Sequence, residues 1–315
     1  MSGPTMGTRW SAIVNTRPSS PRASIEAALQ SAVDVVDQQM STWRAESDLM
    51  RFNRAPVGQW IELPQPLYDV VALGLQIGRD SEGAFNIGMG VQVAAWGFGA
   101  APRTPDPASV DDARVSALPL DPDVLELDLA GRRLRRKSDV QLDLSGIAKG
   151  YGVDCLANVL EAHGIKNYLV SIDGEIRAAG LKADGSGWII GLERPVRDRR
   201  DLVRTIEVGD MALATSGDYR HWRHHDGATI SHTIDPRTGR PLQNGLAAVT
   251  VTAASCAAAD AWATALMVLG EEAGPAKARE FGLDALFTAR RDGDLIEIAV
   301  GGFDDNSNSI QGHGK

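Results

Sequence analysis

The chain has 315 residues, enough for one large domain or two small ones around a substantial core. Hydrophobic residues make up 43% and charged residues 23%, as in ordinary globular proteins. A net charge of −9 speaks against a basic nucleic-acid surface, and an anionic ligand would need local help from a metal ion, a lysine or backbone N–H groups.

The N-terminus, MSGPTMGTRW, has no apolar stretch of the kind a signal peptide needs. Two readings follow: a cytoplasmic protein, or one whose export signal has been removed. No apolar run approaches the roughly 20 residues that cross a bilayer. A strand is predicted over 8–15. Ser19, Ser20 and Pro21 mark a helix start, and apolar residues at helical spacing run over 25–40. A second helix is expected over 67–79. The Pro-, Ala- and Asp-rich stretch 101–123 reads as surface connection with one short helix, and 124–134 as a hairpin around Gly131-Arg132. Alternating Val140, Leu142 and Leu144 predict a strand that turns at Ser145-Gly146 into a helix over 146–163. Several short strands are expected over 168–208, and a hairpin with a polar tip over 215–227. A strand over 247–252 precedes a strongly apolar helix over 255–269 with Ser255 as N-cap. Residues 275–281 read as helix and 285–300 as two strands. From Asp304 onward the Gly/Asn/Ser-rich composition predicts a disordered tail. One α+β domain over 1–303 accounts for the whole. Cys155 and Cys256 lie in apolar helical patterns outside any CxxC and read as buried free thiols.

Five stretches carry candidate chemistry. SHTIDPRTGRP, 231–241, combines a histidine with Asp-Pro and Thr-Gly; it makes either a plain strand-ending turn or a functional loop. In the helix SCAAADAWATALMVLG, Asp260 and Thr264 share one face. A carboxylate buried there needs a partner: a neighbouring strand, a lysine, or a hard cation such as Mg²⁺. LDLSGIAKGYGVD, 142–154, joins a strand to a helix N-terminus carrying Lys149, which suits a phosphate but also fits a simple connection. Asp143 is a ligand or a helix cap. EGAFNIGMGVQVAAWGFG, 82–99, places five glycines among aromatics, fitting a flat ligand or irregular packing. His221, His224 and His225 match no zinc spacing.

Taken in order, these stretches resemble the ApbE family, the FAD:protein FMN transferases. The matching pieces are Met6-Gly7-Thr8, MSTW followed by SDLMRFN over 40–53, and GAFN with WGFG within 83–99. LDLSGIAKGYGVD, ATSGDYR over 214–220, HTIDPRTGRP and the CAAADAWATAL helix complete the set. The resemblance implies a single domain of mixed, largely antiparallel sheet with packed helices. It also implies an enzyme that splits the phosphoanhydride of FAD. FMN would pass to a Thr or Ser hydroxyl of a target flavoprotein of respiratory or redox type, AMP would leave, and Mg²⁺ would be the metal. Carried over by position, the Asp260 and Thr264 side chains and the Gly146 carbonyl would bind the metal. Asp143 and Lys149 would contact FAD, and Met6, Trp43, Ala84, Phe85 and Asn86 would line its ring sites. His232 and Ile234 of the HTIDPRTG loop would sit over the diphosphate, with His232 as base for the acceptor hydroxyl or as phosphate orienter.

Two positions depart from the family pattern: Asn86 stands where Asp is common, and Asp173 where a second glycine is usual. Export signals and lipoprotein cysteines are common in the family. A native precursor with such a signal would be periplasmic or membrane-attached, and a complete chain cytoplasmic. Two other functions suit the same residues: a Mg²⁺-dependent FAD pyrophosphatase giving FMN and AMP, and a flavin-binding protein without turnover. Storage needs no metal at the diphosphate, so Asp260 with Thr264 weighs against the latter.

Overall fold

The computed structural model describes residues 1–15, 21–100, 104–105, 110, 124–197, 201–220, 222–225, 227–304 and 309–310. At its centre lies an eight-stranded sheet whose strands neighbour one another in chain order, every pair antiparallel. The strands are β1 (Ser2–Thr5), β2 (Thr8–Val14), β3 (Tyr168–Ile172), β4 (Glu175–Ala179), β5 (Met211–Gly217), β6 (Leu246–Ala253), β7 (Asp284–Arg291) and β8 (Asp294–Val300). Of the three hairpins in this sheet closed by two-residue turns, two share one geometry. Met6-Gly7 has φ of 43° and 72°, and Asp292-Gly293 has φ of 53° and 91°. Both residues are left-handed in each turn, the geometry whose twist matches that of the flanking strands.

The helices enter as insertions. Between β2 and β3 come α1 (Arg22–Met40), α2 (Asp48–Arg54), α3 (Gln65–Asp80), α4 (Gly90–Ala95) and α5 (Ala148–Ala162); α6 (Cys256–Glu280) links β6 to β7. Alternation along β5 shows how both sheet faces are covered. Ala212 packs with Trp10, Ile25, Leu29 and Leu156 on the helical side. Its neighbours Met211 and Leu213 pack with Trp188, Ile190 and Ile206 on the other. Those three belong to a smaller sheet in which Leu202–Val208 lies between Trp188–Glu193 and Ser309–Ile310. Met211 to Ala214 are all buried, as a strand covered on both faces requires.

α6 is apolar nearly all round because it is buried nearly all round, against β5, β6, α3 and α5. Its N-terminus is held twice. Ser255 Oγ accepts from the Ala258 N–H at 3.3 Å, and the Asp154 carboxylate accepts from Cys256 and Ala257 at 2.9 and 3.0 Å. Asp154 also accepts from Arg177 at 2.8 Å. Gly150 lets α5 reach this end, since a Cβ there would stand 2.3 Å from the Cys256 carbonyl oxygen.

Several expectations are refined. The strand expected around Val140–Leu144 is not a ladder; Gln141 makes one isolated bridge to Met89. Leu142 pairs instead with the Asn53 side chain, which donates to its carbonyl at 2.9 Å and accepts its N–H at 2.8 Å. Leu142 and Leu144 are buried, so the alternation reported burial rather than strand pairing. The helix expected over 275–281 joins the one before it, with a break at Gly270, φ 83°. Ser309 and Ile310, placed in the expected tail, pair in parallel with Glu207 and Val208. Most of 101–123, and His221, lie outside the described residues. Cys155 and Cys256 are free, the latter fully buried.

Candidate active site

A cleft of about 1470 Å³ runs from the start of α5 and the middle of α6 to the β1–β2 turn and the small sheet. Its floor is built where α5 meets α6. Asp260, 5% exposed, accepts from the Gly150 N–H at 3.0 Å through Oδ2. The anion received by the start of α5 is thus the protein's own carboxylate. Burial, reinforced by Glu175, pushes the Asp260 carboxyl above the usual carboxylate range, against Lys149 and the Gly150 N–H. One turn further along α6, Thr264 Oγ1 lies 2.9 Å from Ser216 Oγ of β5. Gly146 brings its backbone beside this hydroxyl; a Cβ there would stand 3.3 Å from Thr264 Oγ1 and 3.2 Å from the Phe85 ring.

Lys149 projects from the first turn of α5 towards β4. Its ammonium donates to Glu175 Oε1 at 2.7 Å and lies 3.7 Å from Asp173 Oδ2. Burial works against this ammonium, yet Glu175, Asp260 and Asp173 outweigh it and hold it above the usual lysine range. Glu175 is almost wholly buried, and its Oε2 has no hydrogen-bond partner. Glu175 pairs with this ammonium directly, and buried Asp260 acts on it through its charge. Asp173 occupies a left-handed position, φ 55°, and accepts from Arg220 at 2.8 Å, which also donates to Glu193 at 2.8 Å. Asp173 thus sets a carboxylate in the cleft through a backbone form that favours glycine.

The SHTIDPRTGRP stretch is a turn that also lines the cleft. Ile234–Asp235 pairs with Arg240–Pro241, and the Asp235 carboxylate accepts from Arg237 N–H at 2.9 Å. The turn is pinned from behind: Trp96 Nε1 donates to the Gly239 carbonyl at 2.7 Å, and Arg237 donates to the Val268 carbonyl of α6 at 3.3 Å. His232, Thr233, Ile234 and Pro236 face the cleft. The His232 ring meets the Phe98 ring edge-on at 6.3 Å.

The remaining predicted residues line the same cleft. Met6 comes from the β1–β2 turn; Trp43, 66% exposed, stands at the rim beyond α1. Ala84 and Phe85 are buried, while Asn86 accepts from the Gly88 N–H at 2.7 Å. Asp143 accepts from the Ser145 N–H at 2.8 Å and caps that turn. His224, by contrast, meets the Trp222 ring edge-on at 5.0 Å.

Three comparisons bear on this chain. The model of the ApbE family matches residues 6–287. The chain belongs to the ApbE family. Among curated relatives, the FAD:protein FMN transferase of Vibrio cholerae is 38% identical over 305 residues, 96% of this chain and 91% of the relative. That of Escherichia coli K12 is 33% identical, covering 94% and 85%. Among solved structures, the flavin transferase ApbE from Vibrio cholerae superposes with a TM-score of 0.87 at 36% identity, covering 96% of this chain and 97% of that one. The Pseudomonas stutzeri flavinyl transferase ApbE, apo form, gives 0.83 at 36% identity, covering 95% and 93%.

Within this ApbE-family cleft, four partners received no role from the sequence: Glu175, Asp154, Ser216 and Arg220, the last two inside the quoted ATSGDYR. Glu175 had a signal available, since a charged residue stands where β4 turns inward. Asp154 lies inside the quoted LDLSGIAKGYGVD, but its role depends on α6, a hundred residues on, which spacing cannot reveal.

The donor set fits a hard cation. Asp260 keeps Oδ1 clear of the Gly150 contact, Thr264 offers a hydroxyl, and Gly146 has no side chain to shield its carbonyl. Among the described residues no group of three His, Cys, Asp or Glu side chains could hold a metal. The set therefore suits an ion that takes few protein ligands and fills its shell with water and phosphate oxygens. A cation here would also balance the excess of buried carboxylate at Asp260 and Glu175.

Proposed function

We propose that this cleft holds FAD with its diphosphate between the α5–α6 junction and the His232 turn, and that a Thr or Ser hydroxyl of a flavoprotein attacks it. The chain moves FMN from FAD onto a target protein, as flavin transferases of its family do. In this reading Asp260, Thr264 and the Gly146 carbonyl hold Mg²⁺. When bound, the ion supplies charge neutralisation for the diphosphate and for the oxygen that departs with AMP. Lys149 adds a second positive charge on the same side. The rim tryptophan Trp43 and the Met6 turn bracket the ring end, with Phe85 behind the diphosphate.

The acceptor oxygen forms a bond to the FMN phosphorus, and the anhydride P–O bond to AMP breaks. AMP departs with the electron pair, and the hydroxyl proton passes to His232. The Phe98 ring at its edge keeps the imidazole turned into the cleft. The observation that carries this reading is the convergence of Asp260, Thr264, Gly146, Lys149 and His232, from three separate stretches, on one cleft.

Intact-mass spectrometry of a flavoprotein acceptor domain incubated with this protein, FAD and Mg²⁺ tests it. One FMN unit added to a Thr or Ser, with AMP released in equal amount, is expected. Free FMN and AMP with an unmodified acceptor would replace transfer by hydrolysis. Bound but intact FAD would reduce the protein to a flavin binder.

A further inference from the structure

One side of the cleft is formed by the hairpin of Trp222–His225 and Ala228–Ser231 and by the strand Trp188–Glu193, where Ile190, Gly191, Trp222 and Arg223 face it.

Two arginines on this side are laid on aromatic faces. Arg223 Cζ stands 5.5 Å from the centroid of Phe98, and Arg197 Cζ 5.2 Å from that of Trp222. The Phe98 ring also meets His232, so Arg223 and His232 flank one phenyl group. Neither arginine has a carboxylate partner among the described residues, although acidic residues outnumber basic ones by 41 to 32. The cations of the floor differ: Lys149 is held by Glu175 and Asp173, and Arg220 by Asp173 and Glu193. A guanidinium resting on a ring is oriented in advance and weakly hydrated, ready to take a carboxylate.

The backbone beside it is open as well. Trp188–Glu193 is an edge strand, paired among the described residues with Leu202–Val208 alone. An edge of this kind accepts an extended segment as an added strand.

We propose that this mouth docks the acceptor as an extended segment whose carboxylates, close in sequence to the reactive hydroxyl, pair with Arg223 and Arg197. The proposal rests on the transfer reading above and names the chemistry of the partner. Because one ring separates Arg223 from His232, an extended chain rising about 3.3 Å per residue puts the acidic residue within about four positions of the hydroxyl.

The test uses the FAD-loaded full chain and a fluorescein-labelled peptide with one Thr among Asp and Glu residues, followed by anisotropy. A control peptide carries Asn and Gln in their place. The acidic peptide should bind at least tenfold more tightly than the control, less so at high salt. Arg223→Glu should weaken it at least tenfold, Arg223→Lys much less, and Arg197→Glu, on the exposed rim, about threefold. FAD affinity, read by flavin fluorescence, should stay at the wild-type value in Arg223→Glu, which also reports an intact fold. Absent binding, equal binding of the two peptides, or indifference to both charge reversals would overturn the proposal. So would a parallel loss of FAD affinity in both variants, which would assign the arginines to the FAD site. Failure of the transfer reading is seen separately, as a flavoprotein acceptor domain that gains no FMN by intact mass when wild-type protein, FAD and Mg²⁺ are present.

Discussion

Asp260 has two duties that a substitution can separate. It accepts the Gly150 N–H, and it offers charge to a cation. Asp260→Asn retains an acceptor for the N–H and removes the charge. Its stability to urea should stay within about 1 kcal/mol of wild type, because a buried hydrogen bond survives while a buried charge is lost. Turnover of FAD with Mg²⁺ should fall by about a hundredfold or more. Unchanged turnover would remove Asp260 from the metal site. Gly146→Ala probes the same place from the other side. Its methyl group would press on Phe85 and on Thr264 Oγ1, so the Mg²⁺ concentration for half-maximal turnover should rise severalfold in a metal titration. At this scale the sequence was informative wherever a residue type has few uses, as with Asp260 in an alanine-rich helix. It was silent on Glu175 and Ser216, whose importance comes from facing Lys149 and Thr264 across the sheet-to-helix interface.

At the scale of elements, the site depends on how α5 and α6 are clamped. The Asp154 carboxylate caps α6 through two N–H groups and pairs with Arg177. Asp154→Ala should cost about 2–4 kcal/mol in urea unfolding, combining a lost cap with a broken, largely buried ion pair. An effect under roughly 0.5 kcal/mol would show that α6 is held by its apolar packing alone. Gly150→Ala should be as damaging, since its Cβ would meet a carbonyl oxygen at 2.3 Å, and neither backbone can yield without stretching the Gly150 N–H bond to Asp260. Helices were legible as elements because apolar spacing reports the buried face, and α1, α3, α5 and α6 all carry it. The Val140–Leu144 stretch was misread because burial at every second residue arises without a neighbouring strand when a side chain, here Asn53, serves the backbone groups. The break at Gly270 was equally hidden, since a glycine reveals its φ only in the fold.

For the whole molecule, eight strands in chain order give the cleft a simple origin. The sheet is a continuous meander, and everything catalytic arrives through insertions or through turns at its ends: the α5 start, α6, the Met6 turn and the His232 turn. Motifs and the family resemblance named these pieces, but their convergence is a property of strand order, which joins residues as distant as Met6 and Thr264. The acidic overall charge and the cleft's need for an anion are reconciled locally by Lys149 and a cation, so ionic strength should affect FAD binding less than it affects the acceptor. The central claim, metal-dependent FMN transfer in this cleft, is tested most directly by following acceptor mass and AMP release in one reaction, for wild type and Asp260→Asn, with Mg²⁺ and with EDTA. The account predicts equal gains of protein-linked FMN and AMP in the wild type with Mg²⁺ alone. Transfer that persists in EDTA, or in Asp260→Asn at the wild-type rate, would contradict it.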